Sequence, residues 1–407
     1  MKFEEYRLSD ELKRNLEEMG FNRPTDIQFK CIPPIQRGED VLAIAQTGTG
    51  KTGAFAIPII DKIQHIKQKS RVQAVRSIVM VPTRELAVQI TEVFQKLGKG
   101  TKVRTISIYG GVEQEPQIEK LVSGVDIVVS TPGRMFDLVS QGYLKLDKIE
   151  VLILDEADQM LALGFYKDIT DLIRFLPNNR QTLFFSATID KNIKKLAYSL
   201  VRDAIRIHIS PKDPVSKNVH HRVVFVEMDD KRFFLQRLIN ESPEMKFLVF
   251  VRTKVRAERV KAAMERVEIV SDTIHGDKTQ DEREEALSRF KKGLLKLLIA
   301  TDVSARGIDI PDVDYVINYD LPELPENYVH RVGRTGRGRK KGEALAFCAK
   351  EEMPLLLAIE EYTTVPINRA TVSKSEYQET IEISEDSSND WKSLMKLEVR
   401  KPKKKTK

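Results

Sequence analysis

Residues 45–52, AQTGTGKT, have the residue types and spacing of a loop that surrounds phosphate groups. Gly48 and Gly50 permit a tight turn in which backbone N–H groups and a helix N-terminus face an anion. Lys51 would reach the β- and γ-phosphates of a nucleoside triphosphate, and the Thr52 hydroxyl would bind magnesium. An ordinary glycine-rich turn before a helix is the alternative. The remaining loop residues expected to contact the nucleotide are Ala45, Gln46, Thr47 and Thr49.

A second group of reactive residues follows an apolar run, in the segment VLILDEAD at residues 151–158. Carboxylates that follow a buried strand lie at the C-terminal edge of the sheet, where open α/β sheets bind ligands. Asp155 is suited to holding magnesium, and Glu156 to polarising an attacking water as a general base. The alternative is a solvated acidic loop. The phosphate-binding loop lies several βαβ units upstream, so the chain can return both motifs to one edge.

A third motif is HRVGRTGR, residues 330–337, in which Arg331, Arg334 and Arg337 recur at every third position. Guanidinium groups stabilise the charge on a phosphoryl group during its transfer. A solvated basic turn, or one that contacts nucleic acid, is an equally good interpretation of this segment alone. Because these arginines are far along the chain from the phosphate-binding loop, catalysis by them would depend on how two halves of the protein meet.

Short apolar runs that alternate with amphipathic stretches must position these groups. Apolar runs without polar alternation are typical of strands buried on both faces of a parallel sheet, and the amphipathic stretches suit crossover helices. The pattern therefore predicts an α/β fold. The expected strands are residues 41–45, 78–81, 105–108, 127–129, 151–154 and 183–185 in the first half, and 223–226, 247–251, 297–300, 315–317 and 344–347 in the second.

Residues 210–218, SPKDPVSKN, interrupt this alternation and predict an interdomain linker. The expected domains are therefore residues 1–209 and 219–370. Beyond them the chain becomes acidic and serine-rich and then ends in RKPKKKTK. This composition predicts a flexible tail over residues 371–407.

The composition restricts the class of protein. The 407 residues include 67 Lys and Arg against 60 Asp and Glu, and the net charge of +7 is compatible with a polyanionic partner. The two cysteines, Cys31 and Cys348, exclude a disulfide framework and a cysteine zinc site. The N-terminus has no apolar signal core, and no apolar run approaches the ~20 residues of a membrane span. We therefore expect a soluble, cytoplasmic protein with no membrane partner.

The motifs occur in the order found in DEAD-box RNA helicases of the second helicase superfamily, which the sequence resembles from residue 3 to about residue 370. The family's phosphate-binding loop accepts alanine at its first position, as at Ala45. The resemblance implies two tandem RecA-like domains, each a mostly parallel sheet covered by helices on both faces. It also implies an ATP-dependent RNA helicase that uses ATP and magnesium. Hydrolysis would follow RNA-driven closure of the two domains, which brings in Arg334 and Arg337, and RNA duplexes would be separated locally.

The segment GFNRPTDIQ, residues 20–28, resembles the family's adenine-reading motif. Gln28 has the amide donor and acceptor that match adenine N6 and N7. Phe3 would stack on the base, with a role as a core aromatic as the alternative. By the same resemblance Gly307 and Asp309 would lie near the nucleotide, with Asp309 near the ribose.

The resemblance also implies contacts with the sugar–phosphate backbone of RNA, made by small or hydroxyl residues that follow strands near helix starts. Arg84 and Arg134 would add positive charge, although exposed arginines are usually only solvated. Such contacts predict little sequence preference and marked salt sensitivity. The implied RNA-binding residues are Pro82, Thr83, Arg84, Gly110, Gly111, Thr131, Pro132, Arg134, Arg252, Gly276 and Thr301.

Four further residues are implied to couple hydrolysis to RNA. Ser186 and Thr188, in the segment SAT, would act through Asp158, or would form a simple strand-end turn. His330 would couple the two domains, or would be a core histidine.

Two other functions stay open at this point. A helicase of the same superfamily could act on DNA, although Gln28 favours the RNA branch. A non-catalytic clamp could bind ATP and RNA without turnover, against which Glu156, Arg334 and Arg337 argue. The basic tail could tether RNA, or could serve only as a solubilising end or a localisation signal.

Overall fold

The computed structural model describes residues 2–46, 48–69, 72–209, 218–302, 313–336 and 341–382. Several sequence predictions lie outside these described residues. They are Thr47 of the phosphate-binding loop, Gly307, Asp309, Arg337, nearly all of the predicted linker, and residues 383–407 of the predicted tail.

The described residues up to 209 form one compact unit around a seven-stranded sheet. The strand order is β3-β4-β2-β5-β6-β1-β7, and every neighbouring pair is parallel. The strands are β1 (Val41–Ala45), β2 (Ser77–Met80), β3 (Thr105–Ile108), β4 (Ile127–Ser130), β5 (Val151–Leu154), β6 (Gln181–Ser186) and β7 (Ile205–Ile209).

Helices cover both faces of this sheet. Val41 and Ala43 point into one apolar cluster with residues of α1–α4, whereas Leu42 and Ile44 point into a second cluster with residues of α5–α9. The strands are therefore buried on both sides, as their unbroken apolar runs predict. The helices are α1 (Asp10–Glu18), α2 (Asp26–Gln36), α3 (Lys51–Lys69), α4 (Arg84–Leu97), α5 (Glu115–Val122), α6 (Pro132–Ser140), α7 (Ala157–Ala162), α8 (Tyr166–Ile173) and α9 (Lys191–Leu200).

The described residues from 218 onwards form a second compact unit around another seven-stranded parallel sheet. Its strand order, β10-β11-β9-β12-β13-β8-β14, repeats that of the first sheet. The strands are β8 (Val219–Phe225), β9 (Phe247–Val251), β10 (Ser271–Ile274), β11 (Leu297–Thr301), β12 (Tyr315–Asn318), β13 (Gly342–Cys348) and β14 (Asn368–Ala370). The helices are α10 (Lys231–Glu241), α11 (Lys254–Glu265), α12 (Gln280–Lys291), α13 (Pro325–Val332), α14 (Met353–Thr363) and α15 (residues 374–382).

The predicted fold class is confirmed, but three strands were not predicted. β7, β10 and β14 each lie at an edge of their sheet, where a strand needs less apolar surface. In β7 the exposed Arg206 and His208 flank the buried Ile207, and β10 contains the polar run Ser271–Asp272–Thr273. An apolar-run criterion therefore misses these three strands, although it detects β3, the remaining edge strand, whose run contains Ile106 and Ile108.

The expectation of a flexible chain from residue 371 is wrong for residues 374–382, which form α15. Tyr377 packs its ring 5.0 Å from the ring of Phe234, and its hydroxyl donates a hydrogen bond to Asp230 Oδ2 at 2.7 Å. Arg237 Nη1 donates a hydrogen bond to Thr380 Oγ1 at 2.7 Å. These partners come from the start of the second unit, so the local sequence could not reveal them.

Membrane-spanning helices are absent from the part of the chain that the structure describes, since none is long and apolar enough.

Candidate active site and nucleic-acid interface

The phosphate-binding loop connects the end of β1 to the start of α3. Ala45 is the last residue of the strand, and Lys51 is the first of the helix. Gly48 and Gly50 have φ angles of +80° and +94°, in the left-handed region that residues with a Cβ rarely adopt. Thr49 Oγ1 donates a hydrogen bond to the carbonyl of Gln46 at 2.8 Å, which closes the turn.

Gln28 ties α2 to this loop. Its Oε1 accepts a hydrogen bond from the Thr25 backbone N–H at 2.9 Å, in a capping box, and its Nε2 donates to the Gly50 carbonyl at 3.2 Å. The side chain is buried, and a Cβ on Gly50 or Gly53 would come within 2.8 or 2.6 Å of Nε2. Both ends of the amide are therefore used inside the protein, and reading an adenine would require Gln28 to exchange these bonds.

Lys51 and Glu156 form a buried ion pair, with Nζ 2.9 Å from Oε1. Their side chains are only 4% and 7% exposed. Glu156 directly follows Asp155, whose Oδ1 accepts the Glu156 backbone N–H at 3.0 Å. Glu156 also has a left-handed backbone, with φ 53°, a strained conformation that is concentrated at functional sites. Gln159 Nε2 donates to Glu156 Oε2 at 3.3 Å and further orients the carboxylate.

The electrostatics of this cluster are dominated by burial of three carboxylates beside one ammonium group. Burial raises the pKa of Asp155 to about 7, although Lys51 acts against the rise. Burial and the charge of Glu156 also raise the pKa of Asp158. Burial alone would lower the pKa of Lys51, but the charges of Glu156, Asp155 and Asp158 raise it above its ordinary value. The ammonium group therefore stays charged.

The cluster fits a bound magnesium ion. With every carboxylate ionised, Asp155, Glu156 and Asp158 carry two more negative charges than Lys51 neutralises, and oxygen donors are the ligands that Mg²⁺ prefers. Asp155 would supply a carboxylate to such an ion, and Thr52 a hydroxyl. Within the described ranges no group of three or more His, Cys, Asp or Glu side chains could hold a metal by itself. The ion would then share its ligands with the phosphates, as Mg²⁺ commonly does.

Parallel topology brings these distant residues together. β5 and β1 are both neighbours of β6 in the sheet, so the loops after β1, β5 and β6 emerge at the same C-terminal edge. Ser186 is the last residue of β6 and is fully buried. Its hydroxyl and the Ala187 backbone N–H both lower the pKa of Asp158 against the effect of burial. The structure therefore brings Ser186 and Asp158 together, with Thr188 two residues further along.

The motifs expected to contact RNA in the first unit converge on the loop at residues 110–112. Gly111 has φ +77°, and a Cβ on it would lie 2.2 Å from both Nη atoms of Arg84. Arg134 Nη2 donates a hydrogen bond to the Val112 carbonyl at 2.9 Å. Thr83 Oγ1 caps α4 by accepting from the Leu86 backbone N–H at 3.3 Å. The remaining members of the set are Pro82 after β2, Gly110 in the loop, Thr131 at the N-cap of α6 and Pro132 at its first turn.

In the second unit the expected RNA contacts also share one sheet edge. Arg252, Gly276 and Thr301 follow or end β9, β10 and β11, which are neighbours in the order β10-β11-β9. Nothing lies within 4 Å of a Cβ built on Gly276. The Arg252 side chain is 39% exposed and donates to Glu352 Oε1 at 3.2 Å.

The arginines of the third motif have different environments. Arg331 is fully buried and makes paired hydrogen bonds to Asp302, at 2.6 and 2.8 Å, as well as bonds to Asn318 Oδ1 and the Asp320 carbonyl. This arginine therefore holds the second unit together. Arg334 and His330 are also buried.

Phe3 is located in the hydrophobic core. It is 3% exposed, and its ring centroid lies 5.9 Å from that of Tyr6. Phe21, in the segment GFNRPTDIQ, is only partly buried, and it lines a surface cavity of about 240 Å³ together with Phe3 and α1 residues. Phe3 and Phe21 thus both pack in or against the core of the first unit, and both line this cavity. The stacking of Phe3 on the base stays a prediction.

Family models match most of both units. Residues 25–196 match the DEAD/DEAH box helicase model, and residues 230–339 match the helicase conserved C-terminal domain model.

Close relatives and solved structures agree with these matches. The chain is 41% identical over 370 residues to a DEAD-box ATP-dependent RNA helicase CshA of Bacillus cereus, covering 90% of this chain and 69% of that protein. It is 42% identical over 363 residues to the ATP-dependent RNA helicase CshA of Listeria monocytogenes, covering 89% of this chain and 69% of that protein. The structure of S. cerevisiae Dbp5 bound to RNA and ADP BeF3 superposes with a TM-score of 0.82 at 31% identity, covering 95% of this chain and 99% of that one.

Proposed function

This chain belongs to the DEAD-box family of ATP-dependent RNA helicases, and we propose that Lys51, Asp155 and Glu156 perform the ATP hydrolysis that drives its remodelling of RNA. The observation that carries the assignment is the buried ion pair between Lys51 and Glu156 beside the phosphate-binding loop. When a triphosphate enters, its β- and γ-phosphates replace Glu156 as the partner of Lys51. The released carboxylate then polarises the attacking water.

Asp155 and the Thr52 hydroxyl would hold the magnesium ion. When bound, such an ion would supply positive charge that stabilises the charge on the phosphoryl group during its transfer. Gln28 gives up its bond to the Gly50 carbonyl and reads the adenine, and Phe3, which lines a surface cavity together with Phe21, stacks on the base.

RNA lies on the C-terminal sheet edges of the two units, where the hydroxyls, glycines and arginines described above meet its backbone. Arg334 and Arg337 act as arginine fingers once RNA favours closure of the two domains, so hydrolysis depends on RNA. Ser186 and Thr188 transmit the state of the nucleotide through Asp158. A cytoplasmic location agrees with the cysteine content and with an RNA substrate.

The test is phosphate release by the full chain in the presence of ATP and magnesium. We expect release to be slow alone, strongly stimulated by single-stranded RNA, and weakly stimulated by DNA of the same sequence. A short fluorescent RNA duplex should separate in the same buffer only with ATP. Rapid release without RNA, or equal stimulation by DNA, would contradict the proposal.

A further inference from the structure

A cluster of buried charges lies at the C-terminal edge of the second sheet, outside the residues given roles above. Lys231 is fully buried, and Glu352 and Asp320 are 2% and 3% exposed. Lys231 begins α10, Asp320 follows β12, and Glu352 follows β13. Their distance along the chain means that only the fold brings them together.

Glu352 is surrounded by donors. Its Oε2 accepts hydrogen bonds from Lys231 Nζ at 2.5 Å and from the Ala349 backbone N–H at 3.1 Å. Its Oε1 accepts from the Leu321 backbone N–H and from Arg252 Nη2, both at 3.2 Å. Lys231 is itself held by the Tyr319 carbonyl at 2.7 Å. The carboxylate therefore has one orientation, set by elements from three regions of the unit.

Arg252 is the member of this cluster that reaches solvent. Its guanidinium is held by Glu352 and by the Leu321 carbonyl at 3.3 Å, while its backbone N–H donates to Asp320 Oδ2 at 3.0 Å. The side chain is nevertheless 39% exposed. Both the backbone and the side chain of Arg252 are thus fixed by hydrogen bonds to buried groups, while the side chain stays partly open to solvent.

Stability alone gives little reason for such an arrangement. Replacing a buried ion pair with well-packed apolar residues is often neutral or stabilising, because desolvation of the charges offsets their attraction. A buried carboxylate that orients a partly exposed arginine can instead favour ligand binding. A guanidinium that is fixed in advance loses less side-chain entropy when it binds a phosphate.

We infer that Glu352, clamped by Lys231, is a positioning residue that holds Arg252 in place to meet a phosphate of the RNA backbone. The inference rests on the proposed function, in which Arg252 contacts RNA. Glu352 does not itself touch the RNA.

The experiment measures binding of a short fluorescent oligouridylate by the full chain with a non-hydrolysable ATP analogue, over a range of salt concentrations. The variants are Arg252→Gln, Glu352→Gln and the combination of both. Arg252→Gln should weaken binding about tenfold and reduce the slope of log K against log salt by ~0.7, the value for one lost phosphate contact on a single strand. Glu352→Gln should have a similar effect on affinity and slope, and the double variant should be no worse than Arg252→Gln alone.

Glu360→Gln is the matched control. Glu360 belongs to α14, accepts the Ile367 backbone N–H at 2.7 Å and pairs with Arg369 at 2.9 Å, and has no bond to Arg252. It should lower thermal stability without changing the salt slope. A purely structural role for Glu352 would give this same result.

If Glu352→Gln fails to fold, the combination Lys231→Met with Glu352→Leu replaces the ion pair with apolar side chains and should show the same reduced slope.

An unchanged slope in the Glu352 variants, beside a reduced slope in Arg252→Gln, would overturn the inference while leaving the RNA contact of Arg252 intact. Additive losses in the double variant would also overturn it. No effect of Arg252→Gln would refute the RNA contact itself, and the positioning role with it, while ATP-dependent duplex separation would still decide the proposed function separately.

Discussion

At the scale of single residues, the ion pair between Lys51 and Glu156 occupies both groups that the proposed hydrolysis needs. A carboxylate bound to an ammonium group is a weak base, so in the proposed mechanism Glu156 becomes an effective general base only after a triphosphate takes over Lys51. The left-handed backbone of Glu156 costs on the order of 1–3 kcal/mol, and it aims the carboxylate at the loop.

Glu156→Gln should retain ATP binding and reduce turnover by about 10²–10⁴-fold, because the amide keeps the shape of the side chain but cannot accept a proton. Single-turnover phosphate release and fluorescent-nucleotide binding measure the two effects. Glu150→Gln is the control, since Glu150 pairs with Arg76 at the opposite end of β5. Normal turnover in Glu156→Gln would reject the general-base assignment.

Gly111 is a second single-residue case. Gly111→Ala should weaken RNA binding about tenfold, because its Cβ would displace the Arg84 guanidinium and strain a backbone at φ +77°. Gly142→Ala separates the two causes, since Gly142 has φ +80° and a Cβ added to it would meet nothing within 4 Å. Fluorescence anisotropy with labelled RNA measures both variants. Equal loss of RNA affinity in the two would show that strain alone is responsible.

At the scale of elements, the site is produced by loops that follow parallel strands. The loops after β1, β5 and β6 meet because those strands are neighbours, and α2 is fastened to the first of these loops by Gln28. One side chain thus serves as a helix cap and as a support for the loop.

Gln28→Glu divides these two functions. Glutamate can still accept the Thr25 N–H and complete the capping box, but it cannot donate to the Gly50 carbonyl. The thermal midpoint should therefore change little, while ATP affinity should fall about tenfold. Calorimetry measures the thermal midpoint, and nucleotide titration measures the ATP affinity. Gln28→Ala should lower both. Unchanged ATP affinity in Gln28→Glu would argue against the proposed adenine contact of Gln28.

The contact between α11 and β10 gives the second unit a pH-dependent component of stability. Burial opposes ionisation of Glu258, but hydrogen bonds from Thr273, His275 and Lys278 outweigh it and lower its pKa to about 2. A lowered carboxyl pKa contributes stability above the ordinary value of 4.5, and that contribution is lost as pH falls from 4.5 towards 2.

Glu258→Gln should therefore lower the free energy of unfolding of the second unit by only ~1 kcal/mol at neutral pH, because the side chain is 46% exposed and solvent screens the charge. The difference in free energy of unfolding between Glu258→Gln and the parent should shrink below pH 4.5 and vanish near pH 2. Urea unfolding at several pH values measures this difference. Glu265→Gln, on the same helix with only a long ion pair to Lys261, should show no such trend.

At the scale of the whole molecule, two units with the same strand order each present their candidate residues at the C-terminal edge of a parallel sheet. The candidate nucleotide groups are in the first unit and Arg334, the proposed finger, is in the second. Under the proposed mechanism hydrolysis needs both units, so RNA that contacts both would control ATP use.

Arg334→Ala should leave ATP affinity nearly unchanged and reduce RNA-stimulated hydrolysis by about 10³-fold or more, as expected for an arginine finger. Steady-state phosphate release at saturating RNA, together with nucleotide titration, measures the two quantities. Because Arg334 is buried, the thermal midpoint of the Arg334→Ala variant must be compared with that of the parent protein. An unchanged stimulated rate would remove Arg334 from the catalytic groups.

The sequence by itself determined the α/β class, the central strands and the motifs around Lys51 and Asp155. These features are local: an unbroken apolar run encodes a strand buried on both faces, and glycines encode a turn with positive φ. The role of Gln28 at the nucleotide was predicted only through the family resemblance of residues 20–28, which did not reveal its bonds to Gly50 and Thr25.

Only the tertiary structure decided which partners these residues have. Phe3 is a core residue because Tyr6 and the helices around it enclose its ring, and α15 is ordered because α10 supplies Phe234 and Arg237. Glu352 and Arg252 are a hundred residues apart and carry no motif in common. Their contact exists because parallel strands place their C-terminal ends side by side, and strand order is a property of the whole sheet that no short stretch of sequence contains.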